Sequence, residues 1–139
     1  MKTKSVLLVA GALALAAIPL VAHHSFSAEY DSKQALTLKG TVTKVEWLNP
    51  HVWFYIDVKD DSGAVQHWQC EAGPPNMLAR NGWRKDSLKL GDQVTVNGFR
   101  AKDGTNTANA RDIILPDGRK VFSGNAEDAE TKGGNKSNE

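Results

Sequence analysis

Two histidines stand side by side at positions 23 and 24, with a third at 51 and a fourth at 67. Imidazole is the side chain best suited to ligate a metal or to change charge near neutrality. If a peptidase cuts after Ala22, His23 gains a free α-amino group beside its ring. Amine and imidazole nitrogens together suit copper(II), which heads the divalent affinity order. His24 is one partner for His23, because its backbone amide follows the amine directly; His51 is the other, completing a histidine-brace-like set. Such binding must displace a proton from an α-amino group of ordinary pKa about 8, so it strengthens as pH rises. Alternatively, His23 and His24 are a solvated start to the chain and hold nothing.

A second constellation lies where alternation is cleanest. In HVWFYIDV, Val52, Phe54, Ile56 and Val58 share one face, and His51, Trp53, Tyr55 and Asp57 share the other. The partner segment AVQHWQCE, residues 64–71, follows the loop Asp61-Ser62-Gly63. A three-residue loop with glycine in the left-handed position pairs Asp60 with Ala64. Phe54 then faces Cys70, Ile56 faces Trp68 and Val58 faces Gln66. A slip of one residue would bury His67, Gln69 and Glu71 instead, at high cost.

The opposite face therefore sets Trp53, Tyr55 and Asp57 against Glu71, Gln69 and His67. Trp53, Tyr55, Gln69 and Glu71 form a candidate ligand-binding platform, with flat rings beside an amide and a carboxylate. Alternatively, an N-terminal arm covers the rings and no ligand binds. Asp57 and His67 sit directly across the ladder and are expected to pair. His67 lies about six strand positions from His51, roughly 20 Å, so the two cannot share an ion. His51 and Glu71 are diagonal neighbours whose side chains can converge.

No catalytic residue is assigned: the sequence has no Ser-His-Asp or Cys-His pattern and no phosphate-binding glycine loop. Cys70 is the single cysteine. It cannot form an internal disulfide and is expected as a small buried hydrophobe.

The elements that must position these residues are strands. ALTLKGTVTKVEW, residues 35–47, switches parity between Val42 and Val45, which predicts a bulge near Thr43 and Lys44, and Gly40 allows the strand to bend. Asn49-Pro50-His51 is the corner between the first two strands. PPNMLARNG predicts a short helix with proline in its first turn and Gly82 at its stop. LKLGDQVTVNGF gives a turn at Gly91-Asp92 and a fourth strand through Val94, Val96 and Phe99; ANARDIIL gives a fifth, and Arg119 to Phe122 a short return. Five strands with one short helix between the third and fourth predict an all-β, OB-fold-like barrel over residues 36–122, with Trp83 and Leu88 plugging one end.

Residues 1–22 have the parts of a signal peptide: Lys2 and Lys4, an apolar run from Val6 to Ile18, then Pro19 and a stretch ending in Ala22. The run is short for a membrane span, and no later segment approaches that length. Residues 23–35 are expected as an N-terminal arm, and residues 123–139, without an apolar residue larger than alanine, as a disordered polar tail. With 17 basic and 16 acidic residues in the whole chain, no nucleic-acid footprint is present.

The blocks AHHSFSAEYD, EWLNPHVWFYIDV, GWRKDSLKLGDQVTVNG and LPDGRKVF resemble a family of small exported bacterial proteins known as a domain of unknown function. The resemblance runs from about Ala22 to Phe122 and implies a periplasmic location. It implies no activity, so no functional residue is carried over. Taken together, the expectation is a soluble, monomeric periplasmic binding module for a small molecule or protein partner. Copper(II) binding by His23 with His24 or His51 is the alternative.

Overall fold

A computed structural model describes residues 26–124. The expected leader, His23, His24 and residues 125–139 lie outside the described residues. Apolar–polar alternation builds the elements in the order α1 (Phe26–Glu29), β1 (Tyr30–Glu46), β2 (Trp53–Lys59), β3 (Val65–Glu71), α2 (Pro75–Arg80), β4 (Gln93–Ala101), β5 (Thr107–Ile114) and β6 (Lys120–Phe122). The fold is all-β. Antiparallel pairings β1–β2, β2–β3, β1–β4 and β4–β5 join a parallel β3–β5 pairing to close five strands into a ring, and β6 extends it beside β5. The helix between the third and fourth strands stands where the sequence predicts it.

The inward faces meet as the patterns require. Phe54, Ile56, Leu78 and Ile113 are fully buried, and each stabilises the fold by about 1.5–3 kcal/mol relative to exposure. Trp83 and Leu88 close the core after Gly82, and the Trp83 indole N–H donates to the Phe122 carbonyl at 2.9 Å. Gly82 takes a positive φ of 86°, as the helix stop demands.

Two irregularities re-aim the sheet. In β1 the register moves between Val42 opposite Ile56 and Lys44 opposite Tyr55, leaving Thr43 as the bulged residue. In β5 Arg111 is skipped between the pairs Gly98–Ala110 and Asn97–Asp112, so Ala108, Ala110 and Ile113 all point inward despite their mixed parity. Gly98 sits at this second bulge, where an added Cβ would stand 1.9 Å from the Asn109 carbonyl oxygen. Phe99, of opposite parity to Val94 and Val96 on β4, faces away from the core.

Two expected boundaries move. β1 begins at Tyr30 and not at Ala35, because Tyr30 pairs with Ala101 and Ala35 with Phe99, with a register irregularity between them. The polar Asp31–Gln34 stretch shows no alternation, which hides this start. Ser123, expected in the tail, is buried. Its hydroxyl donates to the Ala110 carbonyl at 3.0 Å and its own carbonyl accepts from Gly73 N–H at 2.8 Å. A serine held by backbone bonds leaves no apolar signature.

Candidate functional site

The hairpin loop fixes the site's register. Asp60 N–H donates to Ala64 O at 2.9 Å, and the Asp60 carboxylate accepts from the Ser62 and Ala64 amides. The Ser62 hydroxyl also donates to this carboxylate, at 2.6 Å, and that bond most of all, with the two amides, holds the Asp60 carboxyl below its usual range. From this anchor Val58 faces Gln66, Ile56 faces Trp68 and Phe54 faces Cys70, while Trp53 faces Glu71, Tyr55 faces Gln69 and Asp57 faces His67. Every pair matches the register the sequence predicts.

Along this outer face the four platform residues separate into two environments. Tyr55 and Gln69 line a groove of about 450 Å³ together with Asp57, His67, Lys44 and the segment Thr105–Thr107. The Gln69 amide donates to the Thr107 hydroxyl at 2.7 Å, and the Tyr55 hydroxyl donates to Glu46 at 2.9 Å. That bond to Glu46, with some burial, raises the Tyr55 pKa. Lys44 reaches Glu46 at 2.5 Å and lies 5.0 Å from the centre of the Tyr55 ring. Asp57 and His67 meet at 2.6 Å, with the histidine side chain 83% exposed; a contact so open to solvent contributes little stability.

Glu71, at the far end of β3, is buried although it belongs to the outward face. Residues 26–30 cover it. Phe26 stacks on Tyr30 with ring centres 5.7 Å apart and meets the edge of the outward-turned Phe99 at 5.6 Å. Lys102 fastens the segment, its backbone N–H reaching Glu29 O at 2.9 Å and its ammonium reaching Ser27 O at 2.6 Å. Tyr30 donates its hydroxyl to one oxygen of Glu71 at 2.5 Å, and His51 Nδ1 meets the other. Burial, and then the Glu71 bond, push the Tyr30 pKa up. Beside Glu71 on β5 sits Asn109, buried, with its side-chain oxygen lacking a hydrogen-bond partner.

The platform is therefore divided. Tyr55 and Gln69 open onto the groove, Glu71 is held under Tyr30, and Trp53 is half-buried and stands outside this groove's lining. The arm reaches the Glu71 end of the face but leaves Tyr55 in the groove. Tyr30 and the wall of Thr105, Asn106 and Thr107 were not among the residues singled out from sequence. Tyr30 lies in the AEYD block, 41 positions from Glu71, and the wall is a loop without periodicity.

His51 and His67 lie apart, one against Glu71 and the other against Asp57. Among the described residues, no group of three or more His, Cys, Asp or Glu side chains is placed to hold a metal ion. His23 and His24 lie outside those residues. Cys70 is buried, and burial raises its pKa, which leaves a thiol unsuited to nucleophilic work. No described helix is long and apolar enough to cross a membrane.

The model of the family of unknown function DUF6152 matches residues 11–110. The chain belongs to that family. The DUF6152 match takes in HHSF, the NPH corner, the groove-lining strands and the Gly98 bulge. It ends inside β5, short of the LPDGR turn that the sequence resemblance had included. Comparison with curated proteins and with solved structures found no match.

Proposed function

We propose that this DUF6152 protein is an exported, periplasmic binding module that takes a small polar ligand in the groove over β2 and β3. The observation that carries this is the convergence of two aromatic side chains, Tyr55 and Trp68, with the Gln69 amide, the Asp57–His67 pair and the hydroxyls of Thr105 and Thr107 around a cavity of about 450 Å³. That volume suits one small molecule, and few, well-placed polar groups beside apolar surface are what orient a ligand. Lys44 is the movable part of the rim, since its side chain is 57% exposed and leans on Tyr55 from the solvent side. A ligand that displaces it gains the ring face. Export is inferred from the leader between Lys2 and Ala22.

The test is isothermal titration of the processed protein against a panel of sugars, amino acids and nucleosides. A ligand should emerge whose affinity falls at least about tenfold, or about 1.4 kcal/mol, in both Tyr55→Ala and Gln69→Ala while circular dichroism is unchanged. A panel without a ligand, or one whose ligands ignore both substitutions, contradicts the proposal.

A further inference from the structure

We propose that the ligand of the groove is a small organic anion, a carboxylate or a phosphate ester, whose charged oxygens are taken by the Trp68 indole N–H and the Arg100 guanidinium. This rests on the groove reading above and adds to it the charge of the ligand. Trp68 lines the groove and is only 6% exposed, yet its Nε1–H has no acceptor among the described residues. Folded proteins pair nearly all of their buried donors, because a donor stripped of water and left unmade carries its whole desolvation cost. A ligand that brings an acceptor to this ring removes that cost.

The charge of that acceptor follows from Arg100. Its guanidinium lies 5.1 Å from the centre of the Trp68 ring, on a half-buried residue of β4. It donates to the Gly104 carbonyl at 3.1 Å and to Asn106 Oδ1 at 3.3 Å, both uncharged. The carboxylates that line or border the groove are already engaged, Glu46 by Lys44 at 2.5 Å and Asp57 by His67 at 2.6 Å. Among the described residues, Arg100 therefore brings to this wall a positive charge that no carboxylate answers. Arginine keeps that charge throughout the working pH range, and its planar fork matches the paired oxygens of a carboxylate or phosphate.

The two donors belong to one unit. Arg100 stacks on Trp68 and bonds Asn106, whose own carbonyl accepts from the Gln69 N–H at 3.0 Å. Guanidinium, indole and the loop wall are thus tied to β3 beside Gln69. The Arg100 bonds of 3.1 and 3.3 Å lie at the long end of the N–H···O range, so charged oxygens, which form shorter and stronger bonds, compete well for the fork. Tyr55, directly across the ladder from Gln69, takes the uncharged body of the ligand on its ring.

The test is isothermal titration at physiological ionic strength with matched probes: glucose against glucuronate and glucose phosphate, uridine against uridine monophosphate, and N-acetyl amino acids against their amides. An anion should bind at least about tenfold more tightly than its neutral counterpart, and the carboxylate and phosphate arms show which oxygen group the site takes. Arg100→Gln, checked for folding by circular dichroism, should bring that anion down to the affinity of its neutral counterpart. In the unaltered protein the NMR signal of the Trp68 indole N–H should move downfield as the anion binds. If a neutral probe binds as tightly through Tyr55 and Gln69 and Arg100→Gln changes nothing, the charge assignment is wrong while the groove reading stands. If no probe shows binding that depends on Tyr55 and Gln69, the groove reading fails and takes this assignment with it. Should Arg100→Gln fail to fold, the indole signal decides, and a signal that does not move overturns the assignment.

Discussion

Tyr30 donates its hydroxyl to Glu71 at 2.5 Å, tying the first residue of β1 to the last residue of β3 across 41 positions of sequence. The bond explains why a carboxylate on the outward face of the hairpin is buried, and why the face divides into a covered corner and an open groove. Tyr30→Phe keeps the ring stacked under Phe26 but strands one oxygen of Glu71. Leaving a buried acceptor without its donor costs about 1–3 kcal/mol. Urea denaturation should show a loss in that range with an unchanged slope; a loss below about 0.5 kcal/mol would mean that the bond is incidental.

Alkaline titration separates the two tyrosines from ordinary phenols. Both are raised, Tyr30 chiefly by burial and Tyr55 chiefly by its bond to Glu46, so the native protein should show little tyrosinate at pH about 10, where a free phenol is half ionised. A group whose folded pKa is raised stabilises fully below its unfolded pKa and loses that contribution as pH rises further. Stability should therefore hold up to about pH 10 and fall above it, mostly through Tyr30. Ultraviolet difference absorbance checks the ionisation, and normal titration of both phenols would contradict the burial of Tyr30.

Cys70 faces Phe54 inside the ring, fully buried and with its pKa raised by that burial. Neither exposure nor thiolate is available to an alkylating reagent. Labelling should then proceed only through opening of the structure, and its rate should rise with urea in step with unfolding. Prompt labelling in native buffer would show that the β2–β3 core opens far more readily than its packing implies.

How much could be read in advance follows the range of the interactions. The β2–β3 register was legible in full, because a local loop and strict alternation determine it, and so were the Thr43 bulge and the position of the helix. The covering of Glu71 was not. It depends on Phe26 meeting Phe99, a contact between the segment before β1 and the outer face of β4 that no local pattern encodes. The groove wall at Thr105–Thr107 was equally hidden: it comes from a loop brought beside β3 by the parallel β3–β5 pairing, and Gln69 opposite Thr107 is a long-range register that alternation does not encode.

Gly98 is where that closure is most sensitive. The close approach of β4 to β5 leaves no room for a methyl group, since the Asn109 carbonyl oxygen would lie 1.9 Å away and is backbone. Gly98→Ala should cost about 3 kcal/mol or more, whereas Gly63→Ala, whose added carbon meets nothing within 4 Å, should cost only the left-handed backbone penalty of about 1–2 kcal/mol. Thermal unfolding of the two variants side by side checks the order. Equal losses would mean that the β4–β5 bulge is not the tight point of the ring.

The groove on β2 and β3 is tested most directly by protein-observed NMR during the ligand panel. A binding compound should shift the amides of Tyr55, Asp57, His67 and Gln69 and of residues 105–107, and leave those of Tyr30 and Phe99 in place. Shifts centred on Tyr30, Glu71 and Phe99, with the groove amides unmoved, would contradict it.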